Sequence, residues 1–119
     1  MNAEVRDKTT ARLRSQNYVI GRNIKTIREW RGFSQKALGE CMDRGDDQIG
    51  RYETGENRVS AAALEVFAEF LKVPVFFFFV ASLGDLADLF EAVEDLPKLV
   101  RADVQVGVVL KEVLFHNTL

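Results

Sequence analysis

An all-α fold follows from the spacing of apolar residues in this 119-residue chain and from the residues that bound each stretch. Apolar side chains recur at the three- and four-residue spacing of a buried helical face, and Ser34, Ser60 and Ser82 stand where such helices need an N-cap. Gly32, Gly55, Pro74 and Pro97 stand where the periodic stretches end. A hydrophobic share of 47% with 29% charged residues is that of an ordinary globular protein, without the bias of a disordered chain. The length supports one compact domain, or one small domain with an appended helical arm.

Residues 1–18 carry Arg6, Lys8, Arg12 and Arg14, with only Val5 and Leu13 among the larger apolar side chains. This predicts a basic, partly flexible N-terminal arm, either a phosphate-contacting element or a solvated tail. From Val19 to Arg31, Ile20, Ile24, Ile27 and Arg28 follow one helical face, and Gly32 stops the helix. A charge at Arg28 among apolar positions requires a partner. Trp30 is expected as a partly buried cover. Between Phe33 and Gly55 the chain reads as two short helices. Ser34 caps the first, in which Ala37, Leu38, Cys41 and Met42 share a face. Asp43, Arg44 and Gly45 interrupt it, with Gly45 available for a turn closed to other residues, and Asp46 to Thr54 forms the second. Two helices joined by such a break form a helix-turn-helix, whose second helix can lie in a DNA major groove.

Glu56 to Val59 is a polar loop, and Ser60 caps a helix with Leu64, Phe67, Ala68 and Leu71 as its core stripe. Pro74 forces its end. The run VFFFFV, residues 75–80, is the most unusual composition in the chain; it reads either as an exposed apolar interface or as a patch covered by the C-terminal helices. Ser82 with Asp85 resembles a capping box for a helix carrying Leu86, Leu89, Phe90 and Val93, which Pro97 is expected to break near Asp95. Residues 98–115 fit both a strand alternation and a helical face; the absence of a sheet to join favours a helix, giving a C-terminal hairpin. The apolar face of this hairpin, too large for so small a domain to cover alone, predicts a homodimer.

The segments IGRNIKTIRE, GFSQKALGE, IGRYETG and NRVSAAALEVFAEFLKVPVFFF, in this order between Ile20 and Phe79, resemble the Cro/C1-type (XRE-like) helix-turn-helix family of phage and bacterial transcription regulators. The resemblance covers about half the chain and implies a five-helix lambda-repressor-like domain over residues 19–81. Residues 82–119 then form a C-terminal helical segment suited to dimerisation. It also implies an ion pair between Arg28 and Glu53, core positions at Phe78 and Phe79, and base-reading positions at Asp46, Asp47, Gln48, Gly50 and Arg51. Phosphate contacts map to Gln35, Tyr52, Asn57, Arg58 and Ser60. Two carboxylates at the head of the reading helix depart from the family pattern. They either accept from cytosine amino groups, beside an Arg51 that donates to guanine, or are first-turn residues favoured by the helix dipole. Phe76 and Val80 also depart from it, in places where a capping Ser and an acidic residue are usual. The expected dimer surface is Phe76, Phe77, Val80, Leu86, Phe90, Val106, Val109, Leu110 and Val113.

The net charge of −2 conceals an asymmetry: residues 1–58 hold 12 Lys and Arg against 9 Asp and Glu, and residues 59–119 hold 4 against 9. A phosphate backbone attracts the half that carries the motif and repels the other. The single Cys41 excludes a disulfide framework, and the single His116 with scattered carboxylates leaves no catalytic or metal-ligand constellation. The expected protein is cytoplasmic, not an enzyme and without cofactor. It binds double-stranded DNA as a homodimer on a pseudo-palindromic operator, as a repressor, with the effector unspecified. The other reading is an antitoxin- or antirepressor-like interaction module that keeps the motif as a scaffold.

Overall fold

The computed structural model describes residues 2–102, of which 96–102 are described by backbone alone. Among the described residues the fold is all-α, as the periodicity predicts. Helix α1 spans Ala3–Trp30, α2 Gln35–Glu40, α3 Asp46–Glu53 and α4 Ala61–Leu71; a 3-10 helix follows at Val75–Phe79, and α5 runs Leu83–Ala102.

The expected caps are present. Ser34 Oγ accepts from the amide of Ala37, Ser60 Oγ from that of Ala63 and Ser82 Oγ from that of Asp85, each satisfying a first-turn donor that the helix itself cannot. Gly32 and Gly55, at φ +79° and +80°, turn the chain out of α1 and α3. The turn between α2 and α3 differs from expectation. Its left-handed residue is Asp43, at φ 54°, while Gly45 sits at φ −76° and ψ 161°, open to any residue, as the N-cap of α3. The glycine this turn needs is Gly39, where a Cβ would lie 2.5 Å from the Arg44 carbonyl oxygen as the chain folds back over α2.

Helix α1 is continuous from Ala3, with Asn2 Oδ1 accepting from the Val5 amide, so no break marks the expected arm boundary at residue 18. Likewise α5 continues past Pro97 to Ala102. A proline within a helix forfeits one amide donor and bends the backbone, but need not end the helix when the residues on both sides are good helix formers. Residues 103–119, and with them the expected interface positions Val106, Val109, Leu110 and Val113, lie outside the described residues.

The core gathers Ile24 and Ile27 of α1, Leu38 of α2, Ile49 of α3 and Leu64, Phe67 and Leu71 of α4 around Phe77 and Phe78. Of the Phe run, Phe77 and Phe78 are fully buried and Phe79 is 46% exposed, so the expected core pair shifts by one residue. The reason is the tighter winding of a 3-10 helix, in which side chains repeat every three residues rather than 3.6. Leu86 is also fully buried within the chain. Phe77 and Leu86 therefore have no surface to present to a partner, and both leave the expected dimer face.

Candidate nucleic-acid interface

The placement of α3 is set by a buried charge pair. Arg28 Nε donates to Glu53 Oε2 at 2.6 Å and Arg28 Nη2 to Glu53 Oε1 at 3.0 Å, while Arg28 Nη1 donates to the Phe33 carbonyl at 2.8 Å. Gln35 Nε2 completes the set, donating to Glu53 Oε1 at 2.9 Å. One polar cluster thus joins α1, the loop before α2, α2 and α3, with the two charged side chains only 10% and 2% exposed. The hydrogen bond and charge of Glu53 hold the guanidinium pKa above its ordinary value against the opposing effect of burial. Gly21 allows α1 and α3 to touch backbone to backbone, since a Cβ there would overlap the Tyr52 carbonyl oxygen. The Tyr52 ring meets Phe67 edge-on, 6.1 Å between centroids.

This arrangement leaves one face of α3 free. Asp46, Asp47 and Arg51 are exposed, Gln48 and Gly50 are partly so, and Ile49 is buried beneath them. Gln35, Asp46, Asp47, Gly50, Arg51, Thr54 and Glu56 line a shallow depression on that face. Gly50 leaves it open, and the atom a Cβ would meet first is Gln35 Nε2, at an ordinary 3.8 Å. Asp46 Oδ1 accepts from the Asp47 amide at 3.0 Å, a first-turn bond of the kind a helix N-terminus favours. Beyond α3, Arg58 is exposed, Asn57 is half-buried, and Ser60 keeps its hydroxyl proton for donation while its oxygen caps α4. Of the expected phosphate contacts, Gln35 stands apart, because one of its two amide hydrogens points inward to Glu53.

Cys41 is half-buried at the end of α2, its thiol donating to the Leu38 carbonyl at 2.9 Å, and burial pushes its pKa up. Among the described residues there is no group of three His, Cys, Asp or Glu placed to hold a metal ion, and no helix long and apolar enough to cross a membrane.

Two further polar clusters hold the frame around this site, and neither was anticipated. Asn23 is fully buried in α1, and its amide donates to the carbonyls of Phe77, Phe78 and Val80 at 3.2, 2.9 and 2.8 Å. Arg22 donates to Asn23 Oδ1 and to the carbonyls of Val80 and Ala81. Together they close the C-terminal end of the 3-10 helix, where the backbone itself supplies the Val80 amide to the Phe77 carbonyl. At the other end of α1, Arg31 donates to the carbonyls of Leu71 and Lys72, pairs with Glu94 of α5 and lies 4.6 Å from the Phe90 ring centroid. Trp30, 41% exposed, packs beside it on Phe90 at 4.9 Å. The spacing Ile20, Asn23, Ile24, Ile27 was the available signal for Asn23, a polar residue within a buried stripe.

Two short helices at a tight turn, the second held by buried contacts on one side and bare on the other, define a helix-turn-helix protein. Residues 19–75 match the family model described as a helix-turn-helix domain. The chain is similar to an uncharacterized HTH-type transcriptional regulator of Sinorhizobium medicae, 42% identical over 66 residues, which are 56% of this chain and 48% of that protein. It is also similar to the uncharacterized HTH-type transcriptional regulator y4aM of Sinorhizobium fredii, 36% identical over 73 residues, which are 61% of this chain and 51% of that one. A third, from Rickettsia conorii, is 35% identical over 60 residues, 50% of this chain and 48% of that protein. The chain thus spans about half the length of the curated relatives it matches. No solved structure matches it.

Proposed function

We propose that this chain is a sequence-specific double-stranded DNA-binding transcription regulator that presents α3 to the major groove and acts as a homodimeric repressor on a pseudo-palindromic operator. The observation that carries the reading is the bare face of α3, from Asp46 to Arg51, anchored from behind by the Arg28–Glu53 pair. A rigid mount with a free face is what reading base edges requires. Arg51 is suited to guanine O6 and N7, and Asp46 or Asp47 to a cytosine amino group. Arg58, Asn57, Tyr52, Ser60 and the outward hydrogen of Gln35 supply phosphate contacts that fix register without reading sequence. The names of the relatives support transcription regulation. For the homodimer, the partly exposed Phe76, Val80 and Phe90 remain suitable, joined by the exposed Phe79 and Leu83. Symmetry would then place half-sites about one helical turn apart, or a multiple of that.

Selection of duplexes from a random pool, followed by binding measured against salt concentration, tests the reading. The expected result is a pseudo-palindromic preference whose affinity falls steeply with salt and is lost in the Arg51→Ala/Arg58→Ala double variant. Failure to enrich any duplex at low salt would reject it and favour the interaction-module reading, for which the exposed Asp46 and Asp47 pair is the motivating feature.

A further inference from the structure

The part of α1 that precedes the domain is a regular helix with almost nothing beneath it. Every residue from Asn2 to Gln16 is exposed, and the packing of α1 on the rest of the chain begins near Asn17. Isolated helices of this length are marginal in water, so this one exists as the outward propagation of a helix anchored further on. Residues 3–18 would project about 24 Å at the rise of an α-helix.

Its chemistry is one-sided. From Lys8 to Arg28 the sequence contains no Asp or Glu, while Lys8, Arg12, Arg14, Arg22, Lys25 and Arg28 are basic. Arg22 and Arg28 are engaged inside the fold, and Lys8 pairs with Glu4. Arg12 and Arg14 make no ion pair with any described residue. Around them stand Thr9, Thr10, Ser15, Gln16, Asn17 and Tyr18, all side chains that can donate to phosphate oxygens.

The two free arginines face different ways. Thr10, Arg14, Asn17 and Tyr18 follow the i, i+4, i+7, i+8 stripe of one helical face. That face continues to Gly21, where α1 touches the backbone of Tyr52 and Glu53 at the end of α3. At Tyr18 it meets the exit from α3, since a Cβ on Gly55 would lie 3.0 Å from the Tyr18 Cα. Arg14 therefore lies one turn beyond the contact with the α3 exit, on the helical face that meets Gly55. Arg12, two residues away, is turned about 160° around the axis from Arg14.

We infer that the N-terminal extension of α1 is a second DNA-contacting element, in which Arg14, with Thr10 and Tyr18, grips backbone phosphates flanking the sequence read by α3. The inference rests on the DNA-binding reading above and extends its footprint outward. It assigns to duplex DNA a surface that carries no Asp or Glu from Lys8 to Arg28, is rich in donors and leads to the proposed reading helix, a charge pattern complementary to phosphate.

The test compares Arg14→Gln with Arg12→Gln in the full chain, two variants of identical net charge. Each is measured on the duplex selected by the wild-type protein, with salt titration and hydroxyl-radical footprinting. Arg14→Gln is expected to bind about tenfold more weakly at low salt, to lower the slope of log K against log salt by about 0.9, the value of one phosphate contact, and to lose protection on the flank. Arg12→Gln is expected to keep the wild-type slope and footprint, and Arg14→Lys to restore the slope. Helical circular dichroism and sedimentation should be unchanged in all three. A wild-type slope for Arg14→Gln overturns the inference while the major-groove reading stands. Equal losses in both Gln variants reduce the effect to bulk charge and also overturn it. Altered sedimentation of Arg14→Gln with an unchanged slope would assign the helix to a protein contact instead. If the wild-type protein binds no duplex, the major-groove reading falls, and this inference with it.

Discussion

Truncating one member of the Arg28–Glu53 pair should unfold this domain more effectively than truncating both. In Arg28→Met, the Glu53 carboxylate loses the bonds of 2.6 and 3.0 Å and keeps only the 2.9 Å bond from Gln35, and the Phe33 carbonyl loses its 2.8 Å donor. The Glu53 side chain is 2% exposed, so water cannot replace what is lost. An uncompensated buried charge of this kind costs about 3–5 kcal/mol. That is a large part of the roughly 5–15 kcal/mol that holds a domain together. At about 4–8 °C per kcal/mol for a domain of this size, the melting temperature should fall by at least about 12 °C. In Arg28→Met/Glu53→Leu no charge is left buried, and what remains is the unpaired Phe33 carbonyl and Gln35 amide, each worth about 1 kcal/mol. The double variant should therefore be more stable than Arg28→Met alone, and the two single losses should sum to more than the loss in the double variant. Urea unfolding followed by far-UV circular dichroism measures all four corners. Additive single effects, or a loss below about 1 kcal/mol in Arg28→Met, would refute the reasoning.

Three smaller perturbations probe other parts of the frame. Asn23→Leu leaves the carbonyls of Phe77 and Phe78 without their side-chain donor in a dry site; it should cost about 2–3 kcal/mol in urea unfolding, and a near-neutral result would mean another donor reaches them. Gly39→Ala places a Cβ 2.5 Å from the Arg44 carbonyl and should cost at least about 2 kcal/mol, whereas Gly45→Ser, with nothing within 4 Å of the new Cβ and a free N-cap to fill, should be neutral or slightly stabilising; a reversed order would refute the assignment of the turn. The raised Cys41 pKa means that the unfolded chain releases the thiol proton first, so stability is unaffected below the unfolded pKa of about 8.5 and falls as pH rises above it. Cys41→Ala should abolish that alkaline decline, and an identical decline in the variant would exclude the thiol as its source.

What could be read from the sequence, and what could not, divides according to how each contact announces itself. Ser34, Ser60 and Ser82 cap helices that begin beside them, and such a bond spans three residues, so residue type and position are enough. The Arg28–Glu53 pair spans 25 residues; the charge of Arg28 within an apolar face calls for a partner, and the family resemblance points to Glu53 as that partner. Asn23 is different, because its partners are backbone carbonyls 54 to 57 positions away, and every residue carries a carbonyl. The sequence could mark Asn23 as an intruder in an apolar stripe but not say which chain end it would tie. The same holds for Arg31, whose bonds to the Leu71 and Lys72 carbonyls seat α4 and whose pairing with Glu94 holds α5. The Phe run failed for another reason: its apolar character was plain, but which rings turn inward depends on the winding of a 3-10 helix rather than an α-helix. Asp46 and Asp47 lie between these cases. The bond from the Asp47 amide to Asp46 accounts for the first carboxylate as a helix-start residue, while Asp47 stays exposed on the face that would meet DNA. If α3 reads a cytosine with a carboxylate, Asp47 is the better placed of the two, because its side chain has no such bond to give up.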